Sequence, residues 1–572
     1  MSKAVYICSR HPDRLPVTPA DIEVLGRRLA ADNITPHPTR VIEAPGLLAG
    51  IFNPVPSLPA RHHSVCMGNL LTPTHDWWIP GADAPEGTHA IFRLSDEAFE
   101  VLTDMVGSRT IWYVHTDDLL VAATSQRALV HILQAFEPNP GVLPWMVFTG
   151  TLGLTGSWDR RIRRLQGNGR LHLDRATWRL TVEERPVRFE PEPASVGEHA
   201  RILRETIENA FSRLDLDRSK WTLSLSGGYD SRAVLLLLEP GPDLQAVTWG
   251  LRVSLDRKGS DADVARRLAE HYRLDWRYLE TDLSPEPLEK VLGRFLVASE
   301  GRVDHITGYM DGFRIWQDLF NRGLWGVLRG DEPFGVGPFV NTPYDVRRNS
   351  GCLLENDYAN RPEIGETGLG AQTFPPAMER RPGETLASWR GRFYQQFKLP
   401  SINAALNDIK CTYVEIINPL LSHSIVRRVR RIPDPLRTDK RVLTHMVRSM
   451  SPPIGYASFN ATEGMGSPLK TREGIELLSD TLNSIRPRNL FSPGLIDYVV
   501  DNLEVSAERK VDRRGPLRDL VRRFTPPWVR SRLRISVMKP HLDANILAFR
   551  LYTIIRMRQM LGQDAEALTR SE

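Results

Sequence analysis

Apolar and polar positions follow one period up to about residue 190 and a different order after it. In the first stretch they alternate every second residue. KAVYIC near the start, HAIFRL (89–94) and TIWYVHTDDLLVAAT (110–124) read as strands, the last folded into a hairpin at Thr116-Asp117-Asp118. RLHLDRATWRLTVEE (170–184) reads as another hairpin, turning at Asp174-Arg175. SQRALVHILQAF (125–136) has helical spacing instead. The loop and helix of PEPASVGEHARILRETIENA place a boundary near 190.

From Trp221 onward, strands and helices alternate. Trp221, Leu223 and Leu225 form an apolar-alternating strand, and Arg232 to Leu238 opens a buried helix. LQAVTWG (244–250), DWRYLET (275–281) and GLWGVLRG (323–330) are further strands. DADVARRLAEHY (261–272), capped by Ser260, SPEPLEKVLGRFLVAS (284–299) and GYMDGFRIWQDLF (308–320) are helices. The alternation predicts an α/β fold with a parallel sheet covered on both faces. Ligands of such sheets sit at the carboxyl ends of the strands. Residues 340–400 read as an irregular insertion, either a lid or acceptor-binding element or a plain surface insert. Helices are expected at Ala404–Ile416 and 420–433, and an amphipathic one at 545–560 packed on the second domain.

A length of 572 residues allows two or three domains. No apolar run reaches about 18 residues, so no membrane span is expected. The first residues lack a signal-peptide core. Cys8, Cys66, Cys352 and Cys411 are scattered without a C-x-x-C, so neither a zinc site nor a disulfide framework is indicated, and a cytoplasmic location fits best. The net charge of +5 is concentrated in residues 509–539, from Arg509 to Lys539. That segment is either a solvated helical face or a docking patch for an acidic peptide, carrier protein or membrane surface. It lacks the interleaved aromatics of a nucleic-acid surface.

The chemistry concentrates between strand and helix, in Ser226-Gly227-Gly228-Tyr229-Asp230-Ser231. Two glycines permit a sharp turn and close approach of backbone to a ligand. Free amides at the following helix start attract an anion. Ser226 and Ser231 add hydroxyls. Asp230 repels phosphate directly but suits Mg²⁺ held against phosphate. The lysine and spacing of a Walker A loop are missing, as is the G-x-G-x-x-G fingerprint.

This string resembles the SGGxDS pyrophosphate loop of ATP pyrophosphatases, which cleave ATP to AMP and pyrophosphate. Ahead of it, Gly107 to Tyr113, Leu120 to Leu129, and Thr155 to Gly167 resemble, in order, segments of the glutaminase-type domain of class B asparagine synthetases. The resemblance covers roughly residues 85–470 and extends to β-lactam synthetases and lasso-peptide cyclases. It implies three parts: a glutamine-amidotransferase-like domain at 1–190 with an Ntn-type sandwich, an ATP-pyrophosphatase synthetase domain at 191–525, and a helical basic extension at 526–572. It places Trp249-Gly250 at the adenine, although a plain core tryptophan is equally compatible with the pattern. It makes Asp331-Glu332 the acidic pair after a strand, with Asp331 the second Mg²⁺ ligand beside Asp230. Glu415 matches the acidic residue near the acceptor, or is an ordinary helix carboxylate. Asp439-Lys440-Arg441 matches a K-x-L-L-R helix expected to be scaffold.

Three departures qualify the resemblance. Ser2 stands where the family has its glutaminase cysteine, so glutamine hydrolysis is expected to be lost. Leu328 stands where relatives carry Glu or Tyr, and Arg329 where they carry glycine, so a general base must come from elsewhere. The family's loop lysine is missing, and Lys470 is the first lysine available, either in its role or as a surface residue. The expected function is an ATP- and Mg²⁺-dependent ligase. It adenylates a carboxylate and passes the acyl group to an amine, as in natural-product or modified-peptide biosynthesis, with a carrier or precursor peptide as candidate partner. The alternatives are a small-molecule amide synthetase and a non-catalytic nucleotide-binding protein of the same fold.

Overall fold

The computed structural model describes residues 3–71, 75–335, 340–485, 490–506 and 539–568. Ser2 and all but Lys539 of the basic segment lie outside the described residues.

The alternating stretch forms two antiparallel sheets. Its strands are β1 (Lys3–Ser9), β2 (Arg40–Ala44), β3 (Leu47–Phe52), β4 (Ala60–Arg61), β5 (Ser64–Leu70), β6 (Gly87–Leu94), β7 (Ala98–Thr103), β8 (Ile111–His115), β9 (Leu119–Ala123), β10 (Arg163–Leu165), β11 (Gly169–Asp174) and β12 (Arg179–Glu184). One sheet runs β10-β8-β9-β1-β3-β2 and the other β12-β11-β7-β6-β5-β4. The period of two explains their packing. Ala4, Tyr6 and Cys8 of β1 meet Ala90, Phe92 and Leu94 of β6 in a shared core, and the Tyr6 ring stacks 4.6 Å from that of Phe92. Val5 and Ile7 point the other way into a second core, which is why β1 is apolar on both faces from Ala4 to Cys8.

The second half builds a five-stranded parallel sheet from β13 (Trp221–Ser224), β14 (Gln245–Gly250), β15 (Asp275–Glu280), β16 (Gly326–Leu328) and β17 (Glu415–Ile417), in the order β15-β14-β13-β16-β17. Leu223 pairs with Ala246 on one side and Leu328 on the other. Leu223, Leu225, Ala246 and Leu328 face one core, Val247 and Val327 the opposite one. The chain leaves β13 towards β15, then returns to its other side at β16. The switch point therefore lies between β13 and β16, where open α/β sheets take their ligands.

Three expectations need correction. The helix expected to reach Ile416 ends at Lys410, and the short apolar run after it is β17. The insertion is less irregular than its composition: Pro343–Ser350 and Leu386–Phe393 are helices, followed by a ten-residue π-helix, Tyr394–Asn403. Pro400, inside it, has no N–H to give an α-helical ladder. The last described helix, Ala544–Ala565, is buried over most of its circumference rather than amphipathic. It packs against Gln126–Leu133 and Leu143–Thr149 as well as Leu288–Ser299 and Arg472–Ser484. Arg28 and Arg127 both bind its Asp564. Among the described residues no helix is long and apolar enough to cross a membrane.

Candidate active site

The glycine bend sits at the carboxyl end of β13. Leu225 stays in register, its amide donating to the Val247 carbonyl at 2.9 Å. The chain then turns through Ser226 to Gly228 into the helix Tyr229–Leu237. Gly228 caps that helix without any side-chain hydrogen bond, so its first-turn amides are left to an external acceptor. The serines are spent on the bend itself. Their hydroxyls lie 2.9 Å apart, and the Ser226 amide donates to Ser231 Oγ at 3.0 Å. Gly227 is needed for contact: a Cβ there would lie 2.4 Å from the Ala457 Cβ. The Ala457 amide donates to the Gly227 carbonyl at 3.0 Å, which lays residues 454–461 along the bend.

The loop after β16 reaches the same rim. A Cβ at Gly330 would lie 2.8 Å from the Asp230 carbonyl carbon, so the backbone ahead of Asp331 rests directly on the start of the helix. Asp331 Oδ2 accepts from Asn407 Nδ2 at 3.1 Å, and the Asp331 amide points to Asn418 Oδ1 at 3.4 Å. Glu332 is buried behind it. The amides of Phe334 and Gly335 donate to Glu332 Oε2, and Tyr394 donates its hydroxyl to the Glu332 carbonyl at 3.1 Å.

Sequence reasoning missed the cation of this site. Lys440 Nζ lies 2.6 Å from Asp230 Oδ2 and 3.1 Å from Glu332 Oε1. The K-x-L-L-R resemblance implies a scaffold, and the helix Arg441–Met450 does pack on the core through Val442, Leu443, Met446 and Val447, but Lys440 itself turns to the site. Asp439 and Lys440 precede that helix with φ of 53° and 57°, a conformation non-glycine residues adopt at a cost and one found at functional sites. Burial opposes the Lys440 charge, but Glu332 and Asp230 outweigh it and push its pKa up to about 12. Burial raises the Glu332 carboxyl above the usual range, against Lys440. Burial, then the three carboxylates of the site, hold the Tyr394 hydroxyl protonated.

Glu415 and Lys470 fall elsewhere, while Trp249 and Gly250 end β14, the strand beside β13. Glu415 opens β17, at the amino edge of the sheet, and pairs with Arg109. Asn418 takes the carboxyl end of that strand instead. Lys470 binds Asp543 Oδ2 at 2.6 Å, at the start of the Ala544–Ala565 helix, so it is tied to the fold rather than to the bend. Trp249 packs edge-on against Trp316 at 5.5 Å. Gly250 is closed over by Ala461, whose Cβ would lie 2.5 Å from a Cβ at that position. Beside it opens a cavity of about 300 Å³ lined by Arg252, Glu280, Asp282, Asp311 and Arg314 among others. Cys8 lies inside β1, and burial pushes its thiol up, so it is no nucleophile.

Among the described residues no group of three or more metal-ligating side chains is assembled. Mg²⁺ on a nucleotide needs only one or two carboxylates, its other ligands being phosphate and water. Among the described residues Asp230 Oδ1 is buried without a hydrogen-bond partner, and the backbone ahead of Asp331 rests on the start of the helix that carries Asp230. The residues therefore fit Mg²⁺ arriving with a phosphate and do not form a stand-alone cage.

No family model matches the chain. No curated protein matches it either. Among solved structures it is similar to the allosteric regulatory enzyme of purine biosynthesis, at 10% identity over 59% of this chain and 82% of that one, with a TM-score of 0.20. A superposition of that quality does not establish a common fold.

Proposed function

We propose that the protein is an ATP-dependent, AMP-forming carbon–nitrogen ligase of the asparagine-synthetase-like kind. It carries a glutaminase-like sandwich at 1–190 without glutaminase activity, a synthetase domain at 191–525 and a C-terminal extension at 526–572. The observation that carries the reading is the convergence of an uncapped helix start, Asp230, Asp331 and Lys440 at the switch point of a parallel sheet.

The first-turn amides of the Tyr229–Leu237 helix and Lys440 would grip the β- and γ-phosphates of ATP. Asp230 and Asp331 would hold the Mg²⁺ that accompanies them. Bound there, the ion offsets charge on the departing pyrophosphate. Glu332, fixed by two backbone amides, keeps Lys440 aimed across the bend. The end of β14 at Trp249-Gly250 would take the base. A carboxylate attacks the α-phosphorus, pyrophosphate leaves, and the acyl-adenylate yields an amide and AMP when an amine attacks. The carboxylate and amine belong to a modified peptide or another natural product.

One observation favours a second reading. Leu328, where relatives place an acid–base residue, is buried in an apolar core with Leu223 and Leu237, so the chain could bind nucleotide without turning it over. Exchange of labelled pyrophosphate into ATP, screened across a panel of carboxylic acids, separates the two. Exchange that disappears in Asp230→Ala supports the ligase. MgATP binding without exchange for any acid supports the second reading.

A further inference from the structure

An amine attacking an acyl-adenylate must lose a proton, and Leu328 cannot take it. A buried amine, that of Lys410, feels the charge of Asp331 and is paired with its own helix instead. Lys410 ends the helix Ala404–Lys410 and is 6% exposed. Its Nζ donates to the Leu406 carbonyl of its own helix at 2.5 Å. It faces two aromatic rings, Tyr309 at 5.9 Å and Trp316 at 5.8 Å. The acids around it are engaged elsewhere: Asp408 with Arg302 and Arg109, Asp331 with Asn407 and, at 3.9 Å, with Arg329.

Its position links the two poles of the site. On one side, Trp316 meets Trp249 at the end of β14, the strand end assigned to the base. On the other, Asn407, one turn back on the same helix, holds Asp331. The reacting atoms of an acyl-adenylate span the interval between base and phosphates.

We propose that the Lys410 amine accepts the proton released when the acceptor amine attacks the acyl-adenylate, an assignment that rests on the ligase reading above. In that step a nitrogen–carbon bond forms. The carbon–oxygen bond to AMP breaks, and its electron pair leaves on the phosphate. One N–H proton moves to Lys410 Nζ, leaving an ammonium near Asp331.

The electrostatics agree with the geometry. Burial and then Arg329 hold the Lys410 amine well below the ordinary lysine range, against Asp331, Cys411 and Asp408. Among the described residues the Arg329 Nε is buried without a hydrogen-bond partner, while its Nη2 lies 3.9 Å from Asp331 Oδ1. Burial keeps the Tyr309 hydroxyl protonated, so it brings no charge to the pair. Lys440 is pushed the other way, which divides the labour: one lysine stays charged to hold phosphate, the other is free to take a proton.

Carbon NMR of the full chain labelled at lysine Cε, with Lys410→Arg for assignment, reads the titration. The expected Lys410 signal titrates well below the exposed lysines, and Arg329→Gln moves it upward. A Lys410 signal that titrates with the exposed lysines, while MgATP still binds by calorimetry, overturns this assignment alone. Failure of MgATP to bind the wild type overturns the ligase reading and this assignment with it. With a carboxylic acid that supports pyrophosphate exchange and methylamine as acceptor, Lys410→Gln should keep exchange and slow amide formation by about 10²–10⁴-fold. Equal loss of both rates contradicts the proposal.

Discussion

Lys440 and Asp230 touch at 2.6 Å across 210 positions of sequence. The lysine is shared with Glu332, so one ammonium faces two carboxylates and the cluster keeps a negative excess. Such a cluster is stable with a second cation nearby, and it releases the lysine ammonium to phosphate when that cation arrives with its own anion.

Lys440→Met strips the cation from a buried acid. The fold should lose about 3 kcal/mol in urea denaturation, the lower end for breaking a buried pair, because the Asp230 side chain is 32% exposed. MgATP affinity should fall about tenfold or more, the worth of one charge-assisted hydrogen bond. An unchanged affinity would remove Lys440 from the phosphate site.

The pH dependence of stability has two limbs with opposite signs. Lys440 titrates higher in the fold than in the unfolded chain. Its contribution is whole below about 10.4 and is lost as pH rises through about 12. Glu332, also raised, has the same sign: it favours the fold when protonated and loses that contribution as pH rises through its shifted value. Glu300, which binds Lys3, Ser125 and the Gln126 amide, is lowered overall; burial raises it, but Lys3 and its hydrogen bonds outweigh burial. Asp304 is lowered by Arg550 in the same way. Their stabilisation is present above the ordinary carboxylate range and is lost as pH falls. Glu300→Gln should therefore flatten the acid limb of a denaturation series and leave the alkaline limb alone.

Gly227→Ala tests the contact between the bend and residues 454–461. The added methyl meets the Ala457 Cβ at 2.4 Å and the Val264 Cβ at 2.9 Å. A loss of about 1–3 kcal/mol is expected from overpacking. Ala457→Gly in the same chain should restore part of it, as measured by thermal unfolding of the pair against each single variant.

Lys470→Met distinguishes a tether from a catalytic lysine. Its bond to Asp543 is partly exposed, so the cost should be about 1 kcal/mol or less. MgATP affinity should stay at the wild-type value in calorimetry. A large loss of affinity would bring Lys470 back to the site.

Local pattern made most of the framework legible. Alternation marked β11, and short apolar runs marked β8 and β9, which bury one face in the inter-sheet core and the other in the opposite core. Ser260 capped its helix as read, its side chain accepting from the Asp263 amide. The bend at Ser226–Ser231 stood out because glycine, serine and aspartate have local conformational roles. What failed depended on distant partners. Val414 to Ile417 is too short to separate strand from helix by period, and only β16 decides it. Glu415 carries the charge of an active-site acid, but Arg109 claims it from the antiparallel half. Lys440 looked like scaffold because its helix is scaffold, while its side chain leaves the helix start towards Asp230 on another helix start and Glu332 on the loop after β16.

The decisive measurement is a crystal structure with α,β-methylene-ATP and Mg²⁺. The β- and γ-phosphates should lie against the amides that open the Tyr229–Leu237 helix. Lys440 Nζ should be in hydrogen-bond reach of a phosphate oxygen, and a cation should touch Asp230 and Asp331. Phosphates bound elsewhere, with the bend empty and Lys440 still seated between Asp230 and Glu332, would contradict it.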